Sequence, residues 1–210
     1  MMLKSSITFF LFFVTFFINA QYKDLTDAEI YLKSGEILKG KARLTMIEAK
    51  GGFPLSSDSK EYLIYFNTEI KQRKGTKFSP EEVEKVFFDL DLKVNGRRVK
   101  KQTAYIPVIK NEKKSKLGFA ELIIDGTVKL VQRSVSNSSD NRLRIYKESL
   151  LVRDNSEAIV FNYAELKSFK KRASEYFSDC SSLVSKIEDE KYKRKDLEDL
   201  VNYYNDNCAK

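Results

Sequence analysis

Nine of the chain's 38 Lys and Arg fall between residues 93 and 116, against a single acid, Glu112. Arg97, Arg98, Lys100 and Lys101 follow an Asn95-Gly96 turn signal, and Lys113 and Lys114 come a dozen residues later. This segment nets +8, while the rest of the chain beyond residue 20 nets −1. The protein is therefore a near-neutral polypeptide with one strongly basic stretch. Like charges held so close repel, and an anionic surface relieves the repulsion while releasing its own counterions. We assign Arg97, Arg98, Lys100, Lys101, Lys113 and Lys114 as candidate anion-binding residues. Lys and Arg on an edge hairpin also block edge-to-edge sheet pairing, and Pro107 in the same stretch suits that second reading.

Other chemistry has less to work with. The chain contains no His, which removes His-based triads, His-ligated zinc and histidine general bases. Asp89 and Asp91 stand two apart on an expected strand, so both point to one face, where they could flank a sugar or hold a cation. Two acids near a turn also serve as plain solvated surface. No Gly-x-Ser-x-Gly elbow, P-loop, dinucleotide fingerprint or calcium loop occurs. No metal or cofactor is expected, and no aromatic-rich nucleic-acid motif accompanies the basic stretch.

The elements that must position these residues begin after a leader. Lys4 precedes a 12-residue apolar run, Ile7 to Ile18, followed by Ala20 and Gln21. Charge, apolar run and small residue form the layout of a secretory signal peptide, with cleavage expected after Ala20. The run is well short of the ~20 residues a spanning helix needs. No later run approaches membrane length, so no transmembrane span is expected in the mature chain, and no Cys follows the cut to carry a lipid.

From residue 28 to 163 the pattern is β. Ser34-Gly35, Asn95-Gly96 and Asp125-Gly126 each separate two alternating segments, as hairpin turns do. Glu61 to Phe66 and Thr103 to Ile109 suit strands, with Pro107 marking an edge or bulge. Ser79-Pro80-Glu81-Glu82 has the residues of a short helix opening. Residues 134–141 (SVSNSSDN) are expected to form a polar loop. The period then changes. Leu166, Phe169, Ala173, Tyr176 and Phe177 share one helical stripe, and Leu183, Val184 and Ile187 a second. Leu197, Leu200, Val201 and Tyr204 fall at i, i+3, i+4 and i+7. Cys180 and Cys208 are the only thiols. In an exported chain a disulfide is the expected state, with free thiols the alternative. Two Cys without His cannot close a zinc site. The expected fold is α+β: a signal peptide (1–20), an antiparallel β meander, open or barrel-like (21–163), and a C-terminal helical cap with one disulfide (164–210).

Three blocks share a pattern. Ile30 to Lys41 reads strand, Ser-Gly-Glu, strand ending Gly-Lys. Phe78-Ser79-Pro80-Glu81-Glu82 follows. The tail has Phe177-Ser178-Asp179-Cys180, then Tyr192, Leu197, Leu200, Tyr204-Asn205 and Cys208. Together, over about residues 28–208, they resemble a family of exported Bacteroidetes proteins of flavobacterial type. Ser181 departs from the pattern, since a Pro commonly follows the first Cys there. The resemblance implies export, a diderm host and a paired Cys180 and Cys208, and carries no activity or partner.

The function expected from these features is non-catalytic: an exported envelope protein of the periplasm or outer-membrane periphery, or one released from the cell. Its basic hairpin would bind an anionic glycan, lipopolysaccharide or an acidic envelope protein. The alternatives are an exported carboxylate-dependent hydrolase and a purely structural or assembly protein of the envelope.

Overall fold

The computed structural model describes residues 25–45, 61–70, 74–111, 116–139, 142–153, 156–161 and 168–209. The expected leader, Lys113, Lys114 and Leu166 lie outside these residues. Ten strands precede three helices: β1 (Thr26–Leu32), β2 (Ile37–Thr45), β3 (Tyr62–Phe66), β4 (Thr76–Phe78), β5 (Val83–Val94), β6 (Arg97–Asn111), β7 (Lys116–Ile124), β8 (Val128–Ser139), β9 (Arg142–Arg153) and β10 (Ile159–Val160), then α1 (Phe169–Tyr176), α2 (Ser181–Glu188) and α3 (Leu197–Asn207). The strands form one antiparallel sheet in the order β10-β9-β8-β7-β6-β5-β1-β2-β3-β4, and the sheet is not closed. The expected α+β architecture holds, with one departure from a simple meander: β1 lies between β2 and β5.

That insertion forces the sheet to curl. In a flat sheet β4 and β5 would lie four strand spacings apart, about 19 Å. Only residues 79–82 connect them, and these are drawn into a turn by the bond from Glu82 N–H to Ser79 C=O (3.1 Å). A four-residue turn holds its ends within ~7 Å, too short for the flat arrangement. The expected helix opening at Ser79 to Glu82 is therefore this turn alone. Glu82 Oε2 accepts from Ser79 N–H at 2.7 Å, as a capping residue would, but the backbone enters β5 at once. The curl gathers Ile30, Leu63, Val83 and Val86, all fully buried, into a first core, to which β7 adds Phe119.

A second core occupies the other face of the later strands, with Ile106, Val108, Ala120, Val131, Leu150 and Val152. The chain after β9 returns across it. Ala158 N–H bonds to Ile109 C=O (2.9 Å), beside a single parallel bridge from Glu157 to Ile109. The third core joins β8 and β9 to the helices. Val128, Leu130 and Leu151 meet Phe161, Phe177, Leu183, Ile187, Leu200 and Val201. β8 and β9 are thus buried on both faces. This explains why Leu150-Leu151-Val152 is a continuous apolar run rather than an alternating one.

The cap matches its expected stripes: Ala173, Phe177, Leu183, Ile187, Leu197, Leu200, Val201 and Tyr204 are buried. Cys180 and Cys208 are disulfide-bonded, joining the start of α2 to the end of α3. No helix among the described residues is long and apolar enough to cross a membrane. A second expectation is overturned. Residues 134–139 are not loop but the second half of β8, in register with β9 from Ser134↔Lys147 to Ser139↔Arg142. The backbone groups that face β9 are satisfied by it, which polar composition does not prevent.

Candidate functional site

The hairpin signal at Asn95-Gly96 is realised. Both residues have positive φ (49° and 80°), as a type I′ turn requires, and they join β5 to β6. β1 accompanies β5 only as far as Asp89, and β7 accompanies β6 only from Ala104 onward. Residues 90–94 and 97–103 consequently form a two-stranded ribbon standing clear of the sheet. Long paired strands whose neighbours end early produce this projection, and the turn fixes its register.

The register separates the ribbon's faces. Leu92 lies opposite Val99, and Leu90 opposite Lys101; Asp91 lies opposite Lys100, and Asp89 opposite Gln102. By strand alternation one face carries Leu90, Leu92, Arg97, Val99 and Lys101. The other carries Asp89, Asp91, Arg98, Lys100 and Gln102. On this second face charge is partly neutralised within the ribbon. Asp89 Oδ1 accepts from Gln102 Nε2 at 2.9 Å, and Arg98 stands 3.8 Å from Asp91. On the first face Lys101 is 3.9 Å from Glu121 at the ribbon's base. Arg97 and Lys100 have no carboxylate partner among the described residues. The Arg98–Asp91 pair is exposed and contributes at most about 1 kcal/mol.

Four of the six candidate cations lie among the described residues, and a fifth basic residue of the same stretch, Lys110, is far from them. Nine steps along extended strand separate Lys101 from Lys110, about 30 Å. Arg97, Arg98, Lys100 and Lys101 occupy the ribbon, whereas Lys113 and Lys114, outside the described residues, follow the far end of β6. Lys110 is engaged elsewhere: its Nζ pairs with Glu61, whose other oxygen accepts from Phe119 N–H at 2.7 Å. Charge that is contiguous in sequence is split by the length of the strand carrying it.

Two apolar residues escaped the sequence reading. Leu92 and Val99 are 37% and 45% exposed, and they face each other across the ribbon. A signal for them existed, since each stands three residues from the two-residue turn and a type I′ hairpin pairs such positions.

The remaining candidates do not assemble a catalytic centre. Asp91 sits on the open ribbon, and Asp89 at its base beside β1. Among the described residues no group of three or more Cys, Asp and Glu could hold a metal ion. An open cleft of about 790 Å³ between α1 and α2 is lined by Ser168, Lys171, Ser174, Ser178, Ser185 and Glu188, among others. It lies in the cap, apart from both the ribbon and the carboxylate pair. No family model matches the chain, and no curated protein or solved structure is significantly similar to it.

Proposed function

We propose that the chain is an exported cell-envelope protein that acts without catalysis, docking on an anionic partner through the β5–β6 ribbon. One observation carries this reading: a two-stranded ribbon without sheet neighbours presents Arg97, Arg98, Lys100 and Lys101 against Asp91 on the ribbon and Asp89 at its base. Projection lets a surface approach from either side, and four cations to two acids give it a sign preference. The compartment is the periplasm or the outer-membrane periphery of a diderm bacterium, where phosphorylated lipids, anionic glycans and acidic protein surfaces are the available ligands. The leader and the cystine support that placement.

Retention on immobilised heparin tests the electrostatic core of the reading. The protein should bind at low salt and elute as salt rises. Replacing Arg97, Arg98, Lys100 and Lys101 by Gln should abolish retention while thermal unfolding is unchanged. Absent retention, or retention unaffected by the four substitutions, overturns it.

A further inference from the structure

The ribbon's two faces differ in a way that selects among anions. The face with Arg98 and Lys100, where the register also places Lys93, carries Asp89 and Asp91, whose carboxylates offset two of its three cations toward a polyanion. The face with Arg97 and Lys101 carries no acid of its own along the ribbon. Its nearest acid, Glu121, is at the base, with a side chain only 17% exposed. On this acid-free face the cations flank Leu92 and Val99, and the apolar line runs back through Leu90 to Phe88 of the first core. A soluble polyanion satisfies the cations and leaves the apolar pair in water. An amphiphilic anionic surface satisfies both.

We infer that the ribbon lies side-on upon an anionic lipid bilayer, with Leu92 and Val99 entering the headgroup region and Arg97 and Lys101 pairing with lipid phosphates. The inference rests on reading the ribbon as a docking element and names what it docks on. Side-on contact follows from the turn: of residues 93–97, Lys93, Asn95 and Arg97 are polar and only Val94 is a large apolar residue, and about 10 Å of ribbon extends past Leu92 and Val99. Entry tip-first would bury that polar end before the apolar pair reached lipid. Flat contact places the pair at the shallow depth typical of interfacial elements and leaves Asp89 and Asp91 facing water.

The experiment uses the polypeptide from Gln21 onward, which carries every strand and helix described and omits the apolar leader that would itself bind lipid. The chain has no Trp, so Val99→Trp creates a single reporter on the proposed contact. Its emission should shift to shorter wavelength with vesicles of phosphatidylcholine containing about one-third phosphatidylglycerol, and not with phosphatidylcholine alone. The double variant Leu92→Ser/Val99→Ser should lower vesicle affinity about tenfold while leaving heparin retention unchanged. Unshifted Trp emission, vesicle binding indifferent to the double variant, or equal binding to neutral vesicles each overturns the lipid assignment. Heparin retention without vesicle binding also overturns it and leaves the anionic-partner reading standing, with a glycan or acidic protein as occupant. Failure on both matrices removes the two together.

Discussion

Asp179 ties the cap to the sheet. Arg153 at the end of β9 donates to both its carboxylate oxygens (2.8 and 3.3 Å), and Tyr204 O–H from α3 donates at 2.5 Å. The Arg153 guanidinium also stacks over the Tyr204 and Tyr176 rings, 4.8 and 5.2 Å from their centroids. Burial alone would push the Asp179 carboxyl up, but the bonds from Tyr204 and Arg153 outweigh it and hold the group below its ordinary value. A carboxyl depressed by folding stabilises the native state at pH above its unfolded value, and that contribution is lost as pH falls through the folded value. Acidification below about pH 4 should therefore loosen the cap. Asp179→Asn should cost about 1 kcal/mol at neutral pH, allowing for partial exposure, and flatten the acid limb of a urea-stability profile. Asn205 performs a second docking. Its amide accepts from Val128 N–H and donates to Val128 C=O, both at 2.9 Å, as a paired strand residue would. Gly126 leaves room for it, since a Cβ there would stand 2.5 Å from Asn205 Nδ2. Asn205→Leu should cost about 1–3 kcal/mol, the penalty of two orphaned backbone groups, read as a lowered denaturation midpoint.

At the scale of elements, the curl of the early strands is latched at one point. Glu61, just before β3, reaches across to β7, where its carboxylate receives Phe119 N–H and faces Lys110. β7 and β8 pair only from Glu121 onward, so at Phe119 no strand covers that edge. Gly118 permits the approach, because a Cβ there would meet the ends of the Lys110 and Glu61 side chains. Glu61→Ala should cost about 2 kcal/mol in equilibrium unfolding and speed hydrogen exchange at Phe119, while exchange in α3 stays slow. The β5–β6 ribbon bears no such latch. Its four-cation variant should change binding and leave the unfolding midpoint within about 0.5 kcal/mol of the parent, as exposed substitutions do.

Across the whole molecule, the helical cap rests on β7, β8 and β9 and on one covalent staple. The loop closed between Cys180 and Cys208, 28 positions apart, corresponds to about 3.6 kcal/mol of removed chain entropy. Cys180→Ser/Cys208→Ser should lower stability by up to that amount, and hydrogen exchange should accelerate first in α2 and α3. Much of this architecture is legible in the residues alone. The turns at Ser34-Gly35, Asn95-Gly96 and Asp125-Gly126, the stripe from Leu197 to Tyr204 and the cysteine pair all rest on local backbone preference, short periods or residue type, and these act over a few positions. The Ser79 turn and the 134–139 strand depart from their local signals for the complementary reason: the first has capping chemistry without room for a helix, and the second is a strand only because β9 faces it. The placement of β1 beside β5, the double burial of Leu150 to Val152, and the division of one basic stretch into a ribbon at one end of β6 and a latch at the other were decided by the tertiary structure. Each depends on which distant segments share a core and on how far an extended strand carries its side chains, and neither quantity is contained in the spacing of neighbouring residues.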